Sequence, residues 1–293
     1  MNMLYIIGIS VAAVLFIVLL SFYRKWSTLK VRASYIVCSS PDCIRCNKYS
    51  ILLAAAKEKL KRFERISGSK LSHLLDATKP SAEFQHQSQR PNVFYIMELH
   101  ASPWWQESSF RNDVKSLENN WKLIHEEFLA VYEDETFLQT HWTSNTTEMG
   151  SWQTFYFYNQ GQEVSANCNL CPITFKLLES LESFMPGCVF GNALFSVLDP
   201  HTTVTEHYGP TNVRIRCHLG LCIPDGCQLT VNHETRSWTN GKCIIFDDSF
   251  IHSVRHCGIS SVPRVILLLD FWHPHLSYTE KEAIHYAFGV LSA

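Results

Sequence analysis

Between Ser196 and Trp272 this chain sets basic side chains at strand spacing. From Val213 to Ile223 the residues alternate: Val213, Ile215, Cys217, Leu219, Leu221 and Ile223 share one parity, while Arg214, Arg216 and His218 share the other. A period of two marks a strand, so three basic groups project from one strand face. Basic groups on an otherwise apolar strand meet either an anion or water. That face is therefore a site or a wet surface, and the elements around it bear on the choice.

His207 precedes the strand at a Gly-Pro turn. A second predicted strand, Lys242 to Phe246, is entered through the turn signal Asn240-Gly241 and runs into Asp247-Asp248-Ser249-Phe250-Ile251-His252. A third, Arg264 to Trp272, opens on another arginine and continues Val-Ile-Leu-Leu-Leu. Two distant histidines near strand ends, with Arg216 and Arg264 on strands able to pair, suit one pocket closed by a sandwich or barrel of short strands.

The segments EHYGPTNVRIRCHLGL, FDDSFIHSV and RVILLLDFWHP resemble the aspartyl/asparaginyl β-hydroxylase family, a branch of the Fe(II)- and 2-oxoglutarate-dependent dioxygenases. The Ser-Pro-Asp-Cys-x-x-Cys segment is similar, more narrowly, to the membrane-anchored members of that family. The resemblance covers roughly residues 150–276. It implies a mainly β fold with flanking α-helices, a double-stranded β-helix (jelly-roll, cupin-like) behind an N-terminal transmembrane helix.

It also implies roles. Such an enzyme needs a non-haem Fe(II) with open positions for 2-oxoglutarate and O2, and His207 and His252 are the expected ligands. Most related enzymes carry a carboxylate two residues after the first histidine; here that position is Gly209, and a two-histidine site is this branch's pattern. Arginine binds a carboxylate bidentately. Arg264, helped by Ser196, is expected at the distal carboxylate, with Arg216, Cys217 and His218 along the chelating end. Parity points Cys217 away from Arg216 and His218, leaving it only its backbone. Trp152 either lines the cosubstrate pocket or is a core tryptophan. Asp248 either orients a ligand from behind or makes an ordinary turn. Arg214 is expected to pair with a substrate carboxylate. Leu194 stands where the Asp/Asn hydroxylases carry a lysine and no helical repeat array lies upstream, so substrate capture should differ. The reaction implied is hydroxylation of a protein or peptide side chain, with the β-carbon of Asp or Asn foremost. The competing readings are a membrane-tethered jelly-roll that binds without turnover and a cupin-like zinc hydrolase.

The rest of the chain frames this region. At 293 residues and 46% hydrophobic content it has room for one sizeable domain with appendages. A net charge of −2 and a pI near 6.7 offer nucleic acid no electrostatic footing. Met3 to Phe22 carries no charge and is long enough to cross a bilayer core of about 30 Å; it lacks a basic n-region and a clear cleavage site, which favours a retained signal-anchor over a cleaved peptide. Arg24, Lys25, Lys30 and Arg32 follow it and would place the domain in the cytosol. The sequon Asn145-Thr146-Thr147, the eleven cysteines and the family's type II habit favour the lumen, the orientation expected here.

Cys43 and Cys46, with Cys168 and Cys171, could give four thiolates to a structural zinc, or form disulfides, or serve redox chemistry. Ser50 to Ile66 reads as a helix whose basic face meets lipid headgroups or solvent. Lys70 to Pro91 is polar without a period and reads as a linker. Phe110, Val114, Leu117, Trp121, Ile124, Phe128 and Val131 make one apolar stripe, a scaffold helix. Thr174 to Met185 reads as a short helix, Val189 to Leu198 as a strand and Tyr278 to Phe288 as a closing helix. The predicted order is a transmembrane signal-anchor over residues 1–25, a juxtamembrane segment over 26–90, a helical scaffold over 91–149, the β domain over 150–276 and a C-terminal helix over 277–293.

Overall fold

The structure, a computed structural model, describes residues 49–79, 86–145, 147 and 149–290. Alternation governs its centre. Strand β1 (Thr143–Asn145), β2 (Trp152–Asn159), β3 (Gln162–Glu163), β4 (Ala193–Leu198), β5 (Thr203–His207), β6 (Arg214–Cys222), β7 (Cys227–Val231), β8 (Glu234–Arg236), β9 (Cys243–Phe246), β10 (His252–His256) and β11 (Arg264–Trp272) form two antiparallel sheets. The larger has the order β1-β2-β4-β11-β6-β9, with β3 on β2; the smaller has the order β5-β10-β7-β8. From β4 onward the chain shuttles between the sheets, β4, β6, β9 and β11 joining the larger and β5, β7, β8 and β10 the smaller. That winding is a jelly-roll, as the sequence leads one to expect.

Side-chain parity divides the interior. Val265, Leu267, Leu269 and Phe271 on β11, with Ile215, Cys217 and Leu219 on β6, pack under the helices. Their alternates Ile266 and Leu268 join Leu194, Leu229, Val231 and Phe246 between the sheets. The basic parity of β6 faces this inner layer.

Seven helices flank the sandwich: α1 (Tyr49–Ser67), α2 (Ser72–Asp76), α3 (Arg111–Tyr132), α4 (Glu135–Thr140), α5 (Ser165–Leu170), α6 (Pro172–Ser180) and α7 (Tyr278–Phe288) among the described residues. On α3 the predicted stripe is buried at Val114, Leu117, Ile124, Phe128 and Val131. Five such side chains contribute on the order of 10 kcal/mol of gross burial free energy, an upper figure because denatured chains already bury some surface. Acidic residues of α3 fasten it to its neighbours. Asp113 accepts from the backbone N–H groups of Glu182 and Ser183, at 3.0 and 2.9 Å. Glu118 accepts from Cys243 N and Lys242 Nζ, and Glu127 from the N–H groups of Ile173 and Thr174 at the start of α6.

Three expectations need correction. The helix read from Thr174 to Met185 is α6, Pro172–Ser180: proline sets its first turn, and Asp113 draws away the N–H groups beyond Leu181. The strand read from Val189 starts at Ala193, because Asn192 turns to Asp270, its N–H donating to Oδ2 at 3.0 Å. The supposed linker Lys70–Pro91 contains α2 and, near its end, Gln89, only 1% exposed. No helix among the described residues is long and apolar enough to cross a membrane; Met3–Phe22, Cys43 and Cys46 lie outside them.

Candidate active site

Strand β5 ends on His207 and β10 begins on His252, and the antiparallel register sets them opposite each other. Their ring centroids are 4.0 Å apart at 51°. Each ring turns Nδ1 to the carbonyl two residues upstream, Thr205 O at 2.8 Å and Phe250 O at 2.9 Å. A carbonyl accepts only, so the proton sits on Nδ1 and the lone pair on Nε2, the form in which imidazole ligates a metal. His252 is buried, and its pKa is held well below the ordinary histidine value by burial first and by His207 next; Asp248 and the Phe250 carbonyl pull weakly upward. Gly209 packs against the turn before His252, its N–H donating to Asp248 O at 2.6 Å. A Cβ there would stand 2.5 Å from the Asp248 carboxyl carbon, so this backbone has no room for a carboxylate at that position.

Asp247 and Asp248 leave the same turn in different directions. Asp248 meets Arg214 Nη2 at 2.5 Å and Arg216 Nη1 at 3.1 Å. Asp270 joins the same pair of arginines, 3.3 Å from Arg214 and 2.9 Å from Arg216. Burial raises the Asp248 pKa, but Arg214 and Arg216 outweigh it and hold the carboxyl well below its usual range. Asp247 meets no such cation among the described residues. Burial pushes its carboxyl up to about 7 despite hydrogen bonds from Ser249 and Gln89.

The network changes the expectation for Arg214. It is 1% exposed, and Asp248, Asp270 and the Phe190 carbonyl take up Nε and both Nη atoms. A buried guanidinium between two carboxylates is a structural cation, so this placement does not offer it to a substrate. Arg216 lines the pocket with its flank while its N–H groups hold Asp248 and Asp270.

The pocket beside the histidines runs to Arg264 between walls formed by Val204, Val254, Ile266, Leu268 and Phe246. At its inner end Ser196 Oγ accepts from Trp152 Nε1 at 3.0 Å and from Arg264 Nη2 at 3.3 Å. The Arg264 guanidinium lies 5.1 Å from the Trp238 ring centre, and Trp238 Nε1 donates to His218 Nδ1 at 3.2 Å. That bond puts the neutral His218 proton on Nε2. Both His218 Nε2 and Arg264 Nε are buried without a hydrogen-bond partner among the described residues. Burial lowers the Arg264 pKa to about 10, opposed only by Cys227; it also lowers His218 well below its ordinary value, helped by Arg216 and Arg264. Unsatisfied buried donors are costly, and these suit an anion with acceptors at both ends. Cys217 is buried on the opposite face, in the core under the helices, as parity requires.

His207 and His252 from the smaller sheet thus line one pocket with Ser196, Arg216, His218 and Arg264 from the larger, and comparison with known proteins gives the chain a lineage. A family model described as aspartyl/asparaginyl beta-hydroxylase matches residues 118–274. This chain belongs to that family. It is 39% identical over 262 residues to human aspartate beta-hydroxylase domain-containing protein 2, covering 87% of this chain and 71% of that one. It is 40% identical over 196 residues to mouse aspartyl/asparaginyl beta-hydroxylase, covering 66% of this chain and 26% of that protein. Among solved structures, a Pseudomonas putida prolyl-4-hydroxylase matches at 12% identity and a TM-score of 0.34, over 55% of this chain and 98% of that one. At that score the likeness carries no argument, and the fold rests on its own strand order.

Membership in the β-hydroxylase family leaves the cysteines to be placed. Cys168 and Cys171 are buried free thiols. Cys168 Sγ donates to Phe157 O at 3.5 Å and Cys171 Sγ to Glu127 O at 3.9 Å. Burial pushes the Cys168 thiol up to about 12, and Cys171 is pushed up likewise. The pair forms no disulfide; Cys43 and Cys46, the other half of the expected zinc set, lie outside the described residues, among which no group of three or more His, Cys, Asp or Glu is placed to hold a metal. Asp270, Trp238, Asp247 and Gln89 escaped the sequence reading. Asp270 did leave a signal, a lone charge within the apolar run of a central strand. Trp238 follows the short β8 without periodicity.

Proposed function

We propose that this chain is an Fe(II)- and 2-oxoglutarate-dependent dioxygenase that hydroxylates a protein or peptide side chain, the β-carbon of Asp or Asn foremost. The observation that carries it is a pocket with two opposed, Nδ1-anchored imidazoles at one end and, at the other, a buried arginine with no carboxylate partner among the described residues. His207 and His252 would hold the iron. When bound, it supplies the oxygen-activating redox chemistry that takes one O2, one 2-oxoglutarate and one C–H bond to the alcohol, succinate and CO2.

The chain's own residues do the rest. Arg264, Ser196 and Trp152 bind the distal carboxylate, and His218 Nε2–H donates toward the chelating end. Asp248, fixed in its ionised form, holds Arg216 in place and is not a proton carrier. The apolar walls exclude water, which strengthens each charge interaction inside.

Full-length protein in detergent, given Fe(II), ascorbate, O2 and 2-oxoglutarate, should release succinate slowly, and His207→Ala or His252→Ala should release none. Binding of 2-oxoglutarate without turnover under every substrate tried would instead favour a tethered binding module. No Fe(II)-dependent binding at all would end the enzyme reading.

The same proposal extends to placement: Met3–Phe22 anchors the chain as a type II protein with this domain in the lumen, where its partner is a protein or peptide substrate and not nucleic acid. Protease added to sealed microsomes should spare the domain until detergent opens them. Digestion in intact vesicles would put it in the cytosol.

A further inference from the structure

Residues 88–96 lie outside residues 118–274, which the family model matches, yet they bind both loops that carry the candidate metal histidines. On the His252 side, Ile251 N donates to Ser88 O at 2.7 Å and Arg90 N to Ser249 O at 3.1 Å. Gln89 forms an isolated bridge with Phe250. On the His207 side, Val93 N and Phe94 N donate to Pro210 O at 3.0 and 3.1 Å. The Asn212 side chain brackets Ile96, accepting from its N–H at 3.0 Å and donating to its carbonyl at 2.8 Å. One short segment therefore spans the two loops, in addition to the β5–β10 pairing.

Gln89 closes the span at side-chain level. It is 1% exposed. Its Nε2 donates to Ser249 Oγ at 2.9 Å and to Asp247 Oδ2 at 3.3 Å. Asp247 Oδ1 in turn accepts from Ser249 N and Ser249 Oγ. The adjacent Asp248 is drawn to Arg214 and Arg216 on β6. The turn before His252 is thereby fixed from two sides, by the strap through Asp247 and by the sheet through Asp248. A buried amide next to a buried carboxyl contributes less to stability than an apolar contact of equal size, but it admits fewer arrangements.

We propose that residues 88–96 form a positioning strap for the metal-binding histidines, with Gln89 as its positioning residue. The inference rests on His207 and His252 being the metal ligands. Partners behind a ligand commonly change metal affinity by about 10- to 100-fold when removed.

The test uses the full-length protein with Co(II) as a redox-silent probe. Gln89→Met keeps the volume and removes the hydrogen bonds. It should weaken Co(II) binding by about 10-fold, alter the visible Co(II) spectrum, and speed backbone hydrogen exchange at Ser249 and Ile251. A lowered melting temperature with affinity, spectrum and exchange unchanged would overturn the strap and leave Gln89 a packing residue. If Gln89→Met does not fold, Gln89→Asn withdraws the amide by one methylene and should move the same readouts by less. Wild-type protein that takes up no Co(II) would sink the ligand assignment separately; the exchange data alone then judge the strap, faster exchange supporting it and unchanged exchange overturning it.

Discussion

Arginine does opposite jobs at positions a few ångströms apart. Arg214 and Arg216 are held by Asp248 and Asp270 and lock the larger sheet to the turn before His252. Arg264, equally buried, meets a serine hydroxyl and a tryptophan face but no carboxylate among the described residues, which on the proposed reading leaves its charge for a ligand. The sequence shows that Arg214, Arg216 and His218 share a face; it does not show which arginine an aspartate has claimed, because Asp248 and Asp270 are distant in the chain. His273 illustrates another such choice. It is buried, with Nε2–H donating to His100 O at 2.9 Å and Nδ1 accepting from His275 N at 3.2 Å. Burial lowers its pKa to about 4, with the His100 carbonyl opposing. The folded state thus binds fewer protons than the unfolded one between about pH 4 and 6.5. His273 therefore stabilises the fold fully above about pH 6.5, and about 3 kcal/mol of that is lost as the pH falls toward 4. Urea midpoints measured across this range should fall more steeply for wild type than for His273→Gln; parallel slopes would contradict the assignment.

Elements with a period were legible and elements without one were not. The β6 and β11 strands and the α3 stripe follow from alternation and 3.6-residue spacing, and the structure places them within a residue or two. The strap over residues 88–96 leaves no such trace: it is held by backbone groups and by a buried glutamine, and its first residues, up to Pro91, fall in the polar stretch read as a linker. The seat of α3 against the sheet also depends on a residue that carries no side chain. Gly241, φ +71°, lies under Trp121, and a Cβ there would come within 2.7 Å of the indole nitrogen. A left-handed backbone adds its own penalty for any other residue. Gly241→Ala should cost about 1–3 kcal/mol in denaturant unfolding. A loss below a few tenths of a kcal/mol would mean the indole moves aside freely.

At the scale of the whole molecule, the jelly-roll brings residues from β2, β4, β6 and β11 of the larger sheet and β5 and β10 of the smaller to one pocket between them, and the strap and the ion network fix the loops at its rim. Of the residues that the family resemblance singled out, Trp152, Ser196, His207, Arg216, His218, His252 and Arg264 line this pocket, while Arg214, Cys217 and Asp248 do not; the geometry adds why Gly209 must stay small. The most direct test is calorimetric titration of 2-oxoglutarate into the anaerobic protein with Mn(II) as a redox-silent stand-in. One equivalent should bind only with the metal present. Binding should vanish in His252→Ala and weaken about 10-fold or more in Arg264→Lys, which keeps the charge but loses the fork. Binding of 2-oxoglutarate that is indifferent to Mn(II) and to both substitutions would contradict the account.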